Sequence, residues 1–93
     1  MSTRYTPLKD RLKLAQGMGL GGTKLGIITA IHETPRFTGV TIEVEGIVFY
    51  RKWPVIRYKP RPVTGDPVNA ILVCRNVSEA APYASFVFNT AGL

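Results

Sequence analysis

Residues 50 to 61 read YRKWPVIRYKPR. Tyr50, Arg51, Lys52, Trp53, Arg57, Tyr58, Lys59 and Arg61 interleave cations with aromatic rings, and no acid interrupts them. Single-stranded nucleic acid asks for that combination, because cations follow the phosphates while aromatic faces stack on bases. Pro54 and Pro60 stiffen the segment, so less freedom is lost when a ligand orders it. Arg36 and Phe37, in a turn around Pro35, extend the same chemistry. These ten residues form the candidate nucleic-acid surface. The competing reading is that Tyr50 and Trp53 merely cover a core, so the proposal requires exposed rings.

Other chemistry is sparse. The chain has one histidine, His32, and one cysteine, Cys74. A Cys–His nucleophile pair is possible by count. However, Cys74 lies in an apolar run, where a free cysteine is expected to pack as a small hydrophobe. His32 and Cys74 have no neighbours at metal-ligand spacing. Glu43 and Glu45 fall on one face of a strand, roughly 7 Å apart, which a solvated face explains as well as a carboxylate pair does. Gly17, Gly19 and Gly22 match a dinucleotide fingerprint, but they follow a helix and open a strand, the reverse of what phosphate cradling needs. No enzyme, metal or cofactor is expected.

The charge distribution supports a polyanionic partner. The net charge is +6. Arg4, Lys9, Arg11, Lys13 and Lys24 face only Asp10 in the first 24 residues, and a second cationic block spans 51–61. The stretch between them is slightly acidic through Glu33, Glu43 and Glu45. Two such blocks suit nucleic acid, an acidic protein surface or an anionic membrane. No apolar run approaches the ~20 residues that span a bilayer, and no secretory signal is read at the N-terminus. A cytoplasmic protein, or part of a particle assembled inside a cell, is expected.

The elements that must position these residues follow from periodicity. Thr6-Pro7 reads as a helix start, with Leu8, Leu12 and Ala15 as the packing stripe and Gly17 as the stop. The glycines of residues 17–24 read as a flexible hinge. Leu25 to Thr34 is a first strand, with Leu25, Ile27, Thr29 and Ile31 on one face. Gly39 to Trp53 alternates and is interrupted at Gly46, as either a hairpin or a bent strand. Residues 54–62 read as an extended edge segment or a long loop, stiffened by proline. Asn69–Arg75 is a central strand, Ser78 can cap one helical turn at 79–81, and Tyr83–Thr90 is the last strand.

About five strands with short turns make a small mainly-β barrel. The division is a basic arm with a short helix and glycine hinge (1–24) and a barrel domain (25–93). The strand spacing of 25–90, with the Gly65-Asp66 turn before a strand, resembles small five-stranded barrels of the OB or SH3-like type. A non-enzymatic protein that binds single-stranded nucleic acid is the leading expectation. The alternative is an assembly subunit, as in a viral or phage particle, whose arm, with Met18, Leu20 and Val55, contacts neighbours. A homo-oligomer suits either.

Overall fold

The computed structural model describes residues 6–54, 61–76 and 83–90. One helix, α1 (Leu8–Ala15), precedes five strands: β1 (Thr23–Glu33), β2 (Thr38–Val44), β3 (Ile47–Trp53), β4 (Pro67–Asn76) and β5 (Tyr83–Thr90). The strands form one antiparallel sheet in the order β3-β2-β1-β4-β5. Strands 4-1-2-3 are therefore in Greek-key order. The sheet curls into a half-barrel, as the small mainly-β barrel expected from the sequence requires.

β1 is the shared spine. Its first half pairs with β4 and its second half with β2, and Ile27 faces both Glu43 and Pro67. Gly26 permits the crossing, since a Cβ there would lie 2.7 Å from the Val44 Cγ2 and 3.0 Å from the Glu43 carbonyl oxygen. A bulge between Ile28 and Ala30 then shifts the register. Ile28 and Ile31 turn inward while Leu25 and Ile27 are exposed. The single face expected for Leu25, Ile27, Thr29 and Ile31 is thus broken, because a bulge resets strict alternation.

Gly46 closes a hairpin rather than bending a strand. Val44 pairs with Ile47, and Glu45 and Gly46 take φ of 50° and 80°, the left-handed pair that a two-residue hairpin needs. Glu45 therefore leaves the strand and pairs with Lys24 at 2.5 Å instead of standing beside Glu43.

The inner face of the sheet supplies the core. Ile28, Val40, Ile42, Val44, Phe49, Val68, Ala70, Leu72, Phe86 and Phe88 are buried there. Because every pairing is antiparallel, β3 and β5 run in the same direction at the two ends of the sheet, facing one another across an open seam. Phe49 crosses it, with its ring centroid 5.7 Å from Phe86 and 5.0 Å from Phe88.

α1 lies over that seam, packed on β5 and β3. The Thr6 hydroxyl donates to the Val48 carbonyl on β3, and Arg11 Nη1 donates to the Ala84 carbonyl on β5 at 3.5 Å. Thr6 is thus not a helix cap. Pro7 occupies that position without a side-chain bond. The buried stripe is also displaced from the expected Leu8, Leu12 and Ala15. Leu14, Ala15 and Met18 are buried, Leu12 is half-buried and Leu8 is exposed. Contact with two strand edges, rather than one flat face, selects this stripe. Met18 thereby joins the core instead of awaiting a partner, whereas Leu20 remains exposed.

The glycine segment expected as a hinge is hydrogen-bonded to β4. The Gly21 N–H donates to the Leu72 carbonyl at 2.8 Å, and the Leu72 N–H donates to the Gly22 carbonyl at 3.1 Å. Arg75 Nη1 closes the helix end by donating to the carbonyls of Ala15 (3.4 Å) and Met18 (3.0 Å).

Candidate nucleic-acid interface

Register decides which of the predicted residues meet. Thr6 takes the outward main-chain carbonyl of Val48, so the peptide groups of residues 48, 50 and 52 lie along the free edge of β3. Side chains alternate across the sheet instead. Phe49, Arg51 and Trp53 turn inward, whereas Val48, Tyr50 and Lys52 turn outward.

The outward set gathers at the β1–β2 turn. Thr34 builds that turn, with its Oγ1 accepting from the N–H of Phe37 at 3.0 Å and of Arg36 at 3.3 Å. Arg36 is exposed and Phe37 half-buried. Lys52 Nζ lies 4.9 Å above the centre of the Phe37 ring, a cation–π contact at an exposed site. Tyr50 lies across Gly39, where a Cβ would come within 2.3 Å of the Tyr50 Oη. Gly39 therefore seats the ring, and exposed His32 pairs with Gly39 on β1. Arg36, Phe37, Tyr50 and Lys52 thus share one outer patch.

Arg51 and Trp53 go elsewhere. The Arg51 guanidinium sits in the seam, 5.0 Å from the centre of the Phe88 ring and 5.7 Å from that of Phe49. Burial first, and the Arg11 charge second, push its pKa below the ordinary arginine value. It remains a cation, since arginine starts far above neutrality. Trp53 is half-buried against the core. Sequence reasoning missed this division because it read the cations and rings as one continuous edge; strand alternation was the signal that separates them.

Arg61 stands apart. It pairs with Glu33, at a shallow depression lined also by Ile31, Pro62, Val63 and Thr64. Arg57, Tyr58 and Lys59 lie outside the described residues, as do Val55 and the helical turn expected at 79–81.

Cys74 is not a core residue. It is half-buried, and its Sγ is 2.9 Å from the Tyr83 Oη. The register shift between Leu72 and Cys74 carries it to the outer side, opposite Ser85. That contact, chiefly the hydrogen bond, raises the Tyr83 pKa above its ordinary value. Among the described residues, no three His, Cys, Asp or Glu side chains cluster as metal ligands would, and no helix is long and apolar enough to cross a membrane.

Comparison with family models, curated proteins and solved structures gives no match.

Proposed function

We propose that the protein binds single-stranded nucleic acid on the outer face of β2–β3, beside the β1–β2 turn. The observation that carries this reading is the Phe37–Lys52–Tyr50 patch, where a cation stands over one half-buried ring and a second half-buried ring lies on the same face, each with part of its surface open to a base. Rings on such a patch stack on bases of any sequence, and the neighbouring cations neutralise phosphates. In partly open five-stranded Greek-key barrels of the OB type, the face of strands 2 and 3 and the loop joining strands 1 and 2 bind oligonucleotides. Arg36 and Phe37 occupy that loop here. Arg57, Tyr58 and Lys59 follow β3 in sequence and add to its positive charge.

The test is titration with a labelled oligothymidylate at several salt concentrations. Log affinity should fall linearly with log salt, at about −0.7 per phosphate neutralised on a single strand. An absence of binding at low salt would overturn the reading.

A second reading, an assembly subunit such as that of a viral or phage particle, is favoured by a different observation. Leu25, Ile27, Val73 and Val87 are 63%, 51%, 49% and 44% exposed, on strands β1, β4 and β5. Exposed aliphatic residues gathered on adjoining strands mark interaction surfaces. Sedimentation tests it: a concentration-dependent oligomer that Leu25→Ser disperses supports assembly, and a monomer at all concentrations sinks it. Deleting the N-terminal arm would not decide the matter, because α1 belongs to the core.

A further inference from the structure

The seam between β3 and β5 does not end at α1. Beyond Arg51 it opens into a pocket of about 310 Å³ lined by Trp53, Phe88, Asn89 and Thr90. This volume sits at the small end of ligand sites.

Its chemistry can be built from the strands. Leu72 directs both its N–H and its C=O toward Gly21 and Gly22. In an antiparallel sheet, that alternation turns residues 69 and 71 of β4 toward β5. These pair with Asn89 and Val87, so the peptide groups of Phe88 and Thr90 fall on the free edge of β5. The pocket thus has a large aromatic wall, Trp53, facing an edge that offers main-chain donors and acceptors. Behind it stands the Arg51 guanidinium, with Arg11 close enough for the two charges to act on each other. The ion pairs among the described residues are Lys24–Glu45 and Arg61–Glu33, so neither arginine has a carboxylate partner there. The Arg11 Nε is buried without a hydrogen-bond acceptor. The seam is therefore a positive site, with two guanidiniums and no described anion to neutralise them.

We propose that this pocket takes one unpaired nucleotide. Its base lies against Trp53, its base edge meets the peptide groups of Phe88 and Thr90, and its phosphate lies toward Arg51. A stacking wall, an amide edge and an unneutralised guanidinium match the three parts of a nucleotide. The pocket also adjoins the outer patch. Lys52 lies outward between inward Arg51 and Trp53, so a strand following Tyr50 and Lys52 reaches the seam by passing over the edge of β3. The ligand class rests on the strand-binding reading above. The pocket adds a site that the outer patch does not include, and residues that the sequence did not single out.

Trp53 is the only tryptophan, so its fluorescence reports on the pocket directly. The full chain is titrated with thymidine monophosphate, and separately with a labelled oligothymidylate followed by anisotropy. Saturable quenching by the monophosphate is expected. Arg51→Gln should weaken it about tenfold or more, the loss of a charge-assisted hydrogen bond. Thr90→Phe, which fills the mouth, should abolish it while strand binding through Tyr50 and Lys52 persists. Thermal melts confirm that both variants fold. A monophosphate that leaves the emission of Trp53 unchanged, or quenching equally strong in both variants, overturns the pocket. If the oligonucleotide binds while Trp53 stays silent to both ligands, the pocket falls and the outer patch stands. If the monophosphate quenches Trp53 but no strand binds at low salt, the patch falls and the pocket stands.

Discussion

The two wings of the sheet share one core but present opposite outer faces. The β2–β3 wing carries Tyr50 and Lys52 at its end beside the β1–β2 turn, which adds Arg36 and Phe37, and exposed Val48 nearer the hairpin; Gly39 is kept small so that a ring can lie flat. The β1–β4–β5 wing carries Leu25, Ile27, Val73 and Val87, aliphatic and exposed. Both wings contribute apolar residues to the one core. The outer faces differ in what each offers a partner. A charged aromatic face suits a polyanion, and an aliphatic one suits another protein surface. The two readings of this molecule consequently belong to different sides of it and can be separated by mutation.

The largest expected effect is on the link between the wings. Phe49 is 1% exposed and touches both Phe86 and Phe88. Phe49→Ala should cost about 3–5 kcal/mol in urea unfolding. A loss under ~1 kcal/mol would mean that the wings are stable separately. Next comes Tyr50→Ala, which should cost about 1–3 kcal/mol of oligonucleotide affinity, while Ile27→Ser leaves that affinity unchanged. The reverse result would exchange the roles assigned to the two faces. Lys52→Ala should lower the steepness of the log–log salt dependence by about 0.7; an unchanged slope would remove Lys52 from the phosphate track. The smallest effect concerns the Lys24–Glu45 pair, which is partly exposed and ties β1 to the hairpin turn. Glu45→Gln should change unfolding stability by about 0–1 kcal/mol, and a larger loss would show that the wings depend on their rims.

The strands were legible because Val40, Ile42 and Val44 alternate strictly with Thr41 and Glu43, and because the prolines and glycines confine the turns. The bulge at Ile28–Ala30 was not, since Ile28-Thr29-Ala30 carries no mark of where alternation resets. The fate of α1 was also hidden. Its residues read as a basic arm with an apolar stripe and no stated seat, and only the unpaired edges of β3 and β5 give Thr6 and Arg11 something to bind. The candidate surface was half legible: types and spacing located β3, and its alternation divided its residues between two faces, but only its pairing with β2 showed which face looks out. Phe88 and Thr90 could not have been found, because a main-chain edge leaves no trace in residue type.

The clasp of α1 over the seam also bears on how the protein is made. Thr6 and Arg11 hold carbonyls on β3 and β5, so α1, which is synthesised before all five strands, finds part of its seat only after β5 has been made. Until then α1 lacks the strand on which it chiefly packs, and the aliphatic wing is incomplete. Non-local closure of this kind places refolding on the millisecond-to-second scale of small β-barrels. It leaves the nascent chain exposed to aggregation for as long as β5 is missing.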